Sequence, residues 1–248
     1  MNNGIRITPA NPHIGVLILC VLWLFLMGIP LLFSVGMLAK LRPRKLRRLF
    51  LLAACSLMGG MVIYLSDWAN IVPTFLLFLA AVWISCEGSM MKRLTVGLML
   101  ASTVFSFNAL MDNGTVLYGI GLILAKLFFC MGLCFFIRKY GPEREFELSP
   151  SMWRLLFLLT LPPVGIVFSL VLFSNPYSSR LSFQYLVLLL LALFSFGGLL
   201  WTMVVLARQQ KLEKEALLSA QNVHYYKAME QQHFEIRRLK HDMANHLQ

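Results

Sequence analysis

The sequence predicts an all-α membrane protein with about seven transmembrane helices, followed by a long helical tail. The composition is 58% hydrophobic and 13% charged, and the mean hydropathy is +0.72, which lies far outside the range of soluble proteins. Apolar runs long enough to cross a bilayer recur along the chain, separated by short polar loops. They stop at residue 206, so we expect two domains, a multi-spanning domain at 1–206 and a helical domain at 207–248.

The apolar runs give the predicted spans. The first is longer than a signal-peptide core and is expected to be retained. Gly59 and Gly60 loosen the second, and Asp112-Asn113-Gly114 is a turn signal that ends the fourth. The second and third runs are close to the minimum length, so the count stays open between six and seven. The predicted spans are residues 14–38, 49–65, 71–86, 94–111, 115–137, 152–173 and 181–206.

The positions of the cations predict the topology. The formal net charge is +11, and in a soluble domain it would suggest nucleic acid binding. Here the cations concentrate in alternate loops, chiefly the cluster from Lys40 to Arg48, whereas the other loops hold only Arg6 and Arg180. Basic loops stay in the cytoplasm. We therefore expect a multi-pass cell-membrane protein that has its N-terminus outside and its C-terminus in the cytoplasm, with no nucleic acid partner.

The cysteines do not indicate a metal site. All five lie within apolar runs, where disulfides and zinc sites are improbable. Cys130 and Cys134 share a helix face, but two thiols without further ligands are more often packing residues. We predict no metal.

One ionisable residue lies inside a predicted span. Lys126 is near the middle of the fifth, where a charge is costly enough to suggest a function. It could bind an anionic part of a ligand, such as a peptide carboxylate. The alternative is that it extends to the membrane surface or pairs with a polar neighbour such as Asn108.

The tail is predicted to be one long helix. No glycine follows Gly198 and no proline follows Pro176, so about fifty residues could extend about 75 Å at 1.5 Å per residue. An apolar stripe recurs at spacings of three, four and seven, interrupted by Asn222 and Gln232. This pattern predicts a parallel homodimeric coiled coil of modest stability. The stripe consists of Leu218, Tyr225, Met229, Ile236, Leu239 and Met243.

The last residues, 237–248, concentrate the groups capable of chemistry. They follow the sequence R-R-L-K-H-D-M-A-N-H-L-Q, in which His241 and Asn245, and likewise Asp242 and His246, are four apart on a helix. This H-D-x-x-N-H segment after a multi-spanning apolar region resembles the phospho-acceptor box of membrane histidine kinases of the quorum-sensing peptide-receptor type, in the GHKL superfamily. A solvated polar helix face is the plain alternative.

The resemblance implies roles for three residues. His241 would be the phosphorylated residue, Asp242 the carboxylate that takes a proton from its imidazole, and Asn245 the polar group that positions a hydrolytic water. It also implies a sensor domain at 1–206 and a coiled coil with the first phospho-acceptor helix at 207–248, truncated after the box. The partners would be a second copy of the chain, a cytoplasmic response regulator and an extracellular ligand, most plausibly a peptide.

The sequence departs from the family in ending directly after the box. It contains no glycine-rich phosphate loop and no acidic metal-binding set, so this chain is expected to hold no cofactor, and ATP and Mg²⁺ would come only with a separate catalytic domain. The chain could be a fragment or a natural truncation. Two alternatives stay open, a polytopic transporter and a catalytically inactive receptor that dimerises through its tail. Neither the ligand nor the response regulator can be identified from the residues.

Overall fold

A computed structural model of the protein describes the backbone of residues 12–114, 119–142, 146, 148–173 and 183–246. Within these ranges the side chains of residues 12–22, 24, 114, 183–184, 240–242 and 244–246 lie outside the described set. The described backbone is helical apart from its loops and one isolated bridge between Leu41 and Cys86.

Seven helices follow one another along the described chain. Asp67 caps α3 by accepting a hydrogen bond from the Asn70 N–H at 3.3 Å, and Ser149 caps α6 in the same way through the Met152 N–H at 3.4 Å. The helices are α1 (Pro12–Leu38), α2 (Lys45–Gly60), α3 (Trp68–Ser85), α4 (Met90–Gly114), α5 (Ile120–Tyr140), α6 (Pro150–Leu172) and α7 (Phe183–His246).

Helix α4 lies at the centre of the bundle and packs against α3, α5 and α6. Its polar side chains are buried, and three hydroxyls donate to the carbonyl one turn earlier, which satisfies them inside an apolar interior. Helices α1 and α2 lie close together at Gly28, where an added Cβ would lie 2.8 Å from the Ser56 nitrogen. Small residues permit such backbone proximity in membrane bundles. The buried polar residues of α4 are Lys92, Thr95, Ser102, Thr103, Ser106 and Asn108.

The loops of the bundle are sorted to two ends. At the first end the Glu87 N–H donates to the Lys40 carbonyl at 2.8 Å, and Lys92 Nζ donates to the Phe146 carbonyl at 2.8 Å. At the second end the Ser66 N–H donates to the Val171 carbonyl at 3.0 Å. Consecutive helices α1 to α6 therefore run in alternating directions, and we call these the basic end and the opposite end.

Among the described residues five helices, α3 to α7, are long and apolar enough to cross a membrane by length and composition, and α1 contributes a further apolar stretch, Phe25–Leu38. The all-helical fold and the multi-pass character predicted from the sequence agree with these helices. Two predicted boundaries differ from the structure. Helix α2 ends at Gly60 rather than continuing to residue 65, and α4 continues through the predicted turn to Gly114.

The chain forms two compact units, Met1–Val204 and Val205–Gln248. In the second unit, every residue from 211 to 239 is helical and exposed. The apolar side chains of this segment are therefore left largely exposed by the residues that the structure describes. Its exposed stripe includes Leu218, Tyr225, Met229, Ile236, Leu239 and Met243.

Candidate functional site

Helix α2 ends inside the bundle. After Gly60 the residues 61–64 are not helical, yet Met61 and Ile63 are buried at 8% and 0% exposure. A non-helical segment in an apolar interior leaves N–H and C=O groups without helical partners, and each such group is costly unless another group bonds to it. We call residues 61–64 and the side chains that bond to them the α2 break.

A buried ion pair satisfies part of this backbone. Lys126 Nζ lies 2.7 Å from Asp112 Oδ1 and 2.9 Å from Asp112 Oδ2, so the ammonium contacts both carboxylate oxygens. Nζ also donates to the Met61 carbonyl at 3.0 Å, and Asp112 Oδ2 accepts from the Ile63 N–H at 2.7 Å. Both charged side chains are only 3% exposed. The pair joins α4 to α5 and bonds to the non-helical segment that follows α2.

Two asparagines of α4 complete the network. Asn113 Nδ2 donates to the Ile63 carbonyl at 3.0 Å, so one residue of the segment has both backbone groups satisfied by α4. Asn108 Nδ2 lies 3.2 Å from the Met58 carbonyl and 3.4 Å from the Gly59 carbonyl, among the last carbonyls of α2. These carbonyls lack an intrahelical donor because the helix stops. The last turns of α4 therefore supply the polar groups that allow α2 to end where it does.

The α2 break extends to α6 through the following turn. Ser66 has a φ of 63° and donates its N–H to the Val171 carbonyl at 3.0 Å. A positive φ is uncommon outside glycine and needs support from its surroundings. The ring of Trp68 meets the ring of Phe173 edge to face, with centroids 5.4 Å apart. The opposite end thus connects α2, α4, α5 and α6 through polar contacts, and one aromatic pair connects α3 to the end of α6.

In the α2 break the ion pair and the non-helical backbone stabilise each other. Moving two charges out of water costs several kcal/mol per ion, and their mutual attraction returns about as much. A buried ion pair therefore needs further hydrogen bonds to stabilise the fold. Here the backbone of residues 61–64 provides that support. A change that displaces either charge would leave the other buried and would also release the segment, so the ion pair and the end of α2 depend on each other.

The structure places Lys126 differently from the expectation. Since α5 begins at Ile120, Lys126 lies in its second turn rather than near the middle of a span. Its partner is Asp112, while Asn108 bonds instead to α2. The role of Lys126 as a ligand-binding residue remains a prediction, and any anionic ligand would compete with Asp112 for it.

Asp112 is the site residue that the sequence interpretation missed, because it was assigned to an outer turn. A signal for it was present. Asp112 and Lys126 are 14 residues apart on either side of a short connection. An acidic residue in the last turn of one span and a basic residue near the start of the next lie close together whenever the two helices are antiparallel neighbours.

Several aromatic residues near the opposite end are packing residues. Phe168 lies 4.8 Å from Phe75 and 5.0 Å from Phe105 between ring centroids, and Phe75 and Phe105 are buried. Their edge-to-face and stacked arrangements connect α3, α4 and α6.

The predicted phospho-acceptor segment lies within α7, whose helical backbone extends to His246. The side chains of His241, Asp242 and Asn245 lie outside the described set, so their predicted roles rest on the sequence. The helical backbone does keep the four-residue spacing of His241 and Asn245 on one face. Comparison of the chain with protein-family models, with curated proteins and with solved structures finds no match.

Proposed function

We propose that this chain is the sensor and phospho-acceptor portion of a two-component signalling protein. It binds an extracellular ligand, most simply a small peptide, and transmits that binding to phosphorylation of His241. The observation that carries the proposal is the exposed heptad stripe of α7, which continues directly into the His241 segment. A helix that dimerises next to a phospho-acceptor histidine is what such a protein requires.

The charge distribution supports a seven-span topology in the cell membrane. The basic end gathers cations from three loops, and basic loops stay in the cytoplasm. Helix α7 reaches the same end, because Trp201 lies 6.0 Å from Tyr140, the last residue of α5, between ring centroids. We infer an N-terminus outside and a cytoplasmic tail. The cations near the basic end include Lys40, Arg42, Arg44, Lys45, Arg47, Arg48, Lys92, Arg93, Arg138, Lys139 and Arg154.

The tail supports a parallel homodimer. Its stripe follows a strict alternation of four and three residues from Leu218 to Met243 when Asn222 and Gln232 are included, which is the spacing of coiled-coil core positions. Polar residues at two core positions favour one register and weaken the pairing. A pairing of limited stability can shift between two arrangements at a small energetic cost.

Phosphorylation at His241 requires one ring nitrogen that is free to attack a phosphoryl group. Asp242 can favour that state by accepting the proton of the other nitrogen, and Asn245 can position a water for later hydrolysis. ATP and Mg²⁺ would be bound by a separate catalytic domain, and the phosphoryl group would then pass to a response regulator.

In this proposal the ligand binds at the opposite end, and the bundle transmits its binding to the tail. The α2 break joins four helices there through groups that depend on one another. A ligand that interacts differently with two packings of these helices shifts the equilibrium between them. In this proposal α7 carries the change to the coiled coil.

The test is phosphotransfer to this chain. Membranes that contain it are mixed with a purified catalytic domain from a histidine kinase of this type and with labelled ATP. We expect acid-labile label on the wild type and none on His241→Gln. His233→Gln is the matched control, since His233 is an exposed histidine of the same helix and should leave the label unchanged.

A result without label, in membranes where crosslinking shows an intact dimer, would contradict the phospho-acceptor assignment. It would favour a catalytically inactive receptor that dimerises through its tail. Equal label on the wild type and on both histidine variants would mean that another residue is the acceptor.

A transporter is the second candidate, and the α2 break is the observation that favours it. Interrupted helices with ionisable partners form the substrate sites of many secondary transporters. This alternative predicts substrate flux into liposomes that is lost in Lys126→Met and is unaffected by His241→Gln. Flux that persists in Lys126→Met would remove the support for it.

A further inference from the structure

An open groove lies between α4, α5 and α7, apart from the α2 break and the tail. Its volume is about 570 Å³, and its walls include Phe107, Phe129, Phe136 and Leu200. Gly132 of α5 and Gly197 of α7 line it, and a Cβ added to either would meet no atom within 4 Å. The two glycines therefore leave space that the side chains of the protein do not fill.

The lining of the groove matches hydrocarbon. Thr103 is the polar side chain among its lining residues, and its hydroxyl already donates to the Met99 carbonyl at 2.7 Å. A polar ligand inside the groove would lose water without gaining hydrogen bonds. Phe128, which also lines the groove, and Phe194 beside it on α7 are 64% and 70% exposed, as expected of side chains that face lipid. The groove thus opens toward the apolar surface of the bundle.

Polar groups gather where the groove ends toward the basic end. The ring of Tyr140 lies 5.3 Å from Phe136 and 6.0 Å from Trp201, between centroids. Lys139 Nζ lies 5.2 Å from the centroid of Tyr140. Residues 139 and 140 lie on the same face of α5 as the groove positions 129, 132, 133 and 136, because they follow them at helical spacing. Arg138 lies on the other side of the helix. Tyrosine and tryptophan favour the level of lipid headgroups, and basic residues there attract anionic ones.

We propose that this groove binds a glycerophospholipid with an anionic headgroup. One acyl chain fills the space beside Gly132 and Gly197, and the phosphate lies near Lys139, Tyr140 and Trp201. Within a bilayer the acyl chain enters the groove from hydrocarbon rather than from water. Its burial in the groove therefore provides little affinity by itself. The headgroup contacts therefore determine which lipid is bound. This inference is independent of the proposed signalling function and of which side of the membrane the basic end faces.

The experiment uses the full chain in nanodiscs of phosphatidylcholine that contain a small fraction of phosphatidylglycerol with a photoreactive acyl chain. Crosslinked residues are identified by mass spectrometry. We expect labelling of α5 and α7 at groove positions, and loss of most of that labelling in Gly197→Leu. The matched control is Gly198→Leu, since Gly198 is the next residue of the same helix, has equally open surroundings and does not line the groove.

The headgroup is tested with a second pair of variants. Lys139→Gln should reduce the preference for phosphatidylglycerol over photoreactive phosphatidylcholine by about fivefold, because one cation near the surface contributes about 1 kcal/mol. Arg138→Gln, an exposed cation one residue away, should leave that preference unchanged.

Three outcomes would overturn the proposal. Equal labelling in Gly197→Leu and Gly198→Leu would mean that the groove holds only the general lipid surrounding the protein. Crosslinks between the grooves of two copies, formed by a protein–protein crosslinker in the same nanodiscs, would mean that this surface is a dimer interface. An unchanged headgroup preference in Lys139→Gln would remove the anionic site. Gly132→Leu, on the facing helix, provides an independent test if Gly197→Leu does not fold.

Discussion

Helix α4 and the exposed segment of α7 at residues 211–239 distribute their polar and apolar side chains in opposite ways. In α4 the polar residues Thr95, Thr103, Ser106 and Asn108 are buried, and each has a hydrogen-bond partner. In the segment of α7 every residue is exposed, including ten large apolar ones.

The difference separates a helix that packs inside the bundle from a helical segment whose apolar side chains are exposed. In α4 the polar groups face other helices of the same chain, where the interruption of α2 needs donors and acceptors. In α7 the apolar stripe repeats at coiled-coil spacing and is exposed in the described residues, which is the pattern expected for the proposed homodimer. The energetic effect of a substitution should therefore appear as lost stability in the first region and as lost association in the second.

The largest effect is expected at the buried ion pair. Lys126→Met leaves the Asp112 carboxylate buried with a single N–H donor, and we expect a loss of about 3–5 kcal/mol in stability. The double variant Lys126→Met with Asp112→Asn should recover most of that loss, because no charge then remains in the interior. The measurement is the resistance of the purified chain to heat aggregation in detergent micelles.

Arg138→Met is the control for this prediction, since Arg138 is an exposed cation of the same helix and should change stability little. Equal stability of Lys126→Met and the wild type would show that the ion pair does not hold the α2 break together.

A smaller effect is expected where α4 bonds to the end of α2. Asn108→Leu removes the side-chain donor to the Met58 and Gly59 carbonyls, and a buried carbonyl without a donor costs about 1–3 kcal/mol. Ser106→Ala is the matched control on the same helix, because its hydroxyl donates only to the Ser102 carbonyl within α4. The same heat-aggregation assay compares the two, and equal losses would contradict a specific role for Asn108.

The smallest effect is expected in the tail, where it should concern association. Ile236→Glu places a charge at a core position of the proposed coiled coil, and we expect the proposed dimer to weaken by about tenfold or more, which is about 1.4 kcal/mol. Phe234→Glu changes an exposed apolar residue off the stripe and should leave the dimer intact. The measurement is the dimer fraction of each variant in liposomes at several protein densities, detected by energy transfer between labelled copies. Equal weakening would mean that the stripe is not the interface.

Sequence periodicity and hydropathy predicted the order of the helices well, since both properties are local. The helix boundaries were less accurate where glycine and turn signals competed with tertiary contacts. Gly59 and Gly60 were expected to loosen a continuing helix, yet α2 ends at Gly60. Asp112-Asn113-Gly114 was expected to form a turn, yet these residues belong to α4 because their side chains bond to the α2 break.

The candidate site was predictable only in part. Lys126 stands out in any hydropathy profile as a charge within an apolar run. The partner of Lys126 does not stand out, because Asn108 and Asp112 lie at similar sequence separations from it. Only the packing of α4 on α5 decides between them. The buried Asp112 looks like a loop residue until the non-helical segment beside it is known.

By itself the sequence determined the all-helical class, the apolar character of the bundle, the unequal distribution of cations and the repeating stripe of the tail. These follow from composition and from spacings within one helix, which depend on no other part of the chain. The tertiary structure alone decided where α2 ends, which side chain pairs with Lys126 and where the groove beside Gly132 and Gly197 lies. Each of these depends on groups from different helices meeting in an interior without water, where every polar group must find a partner.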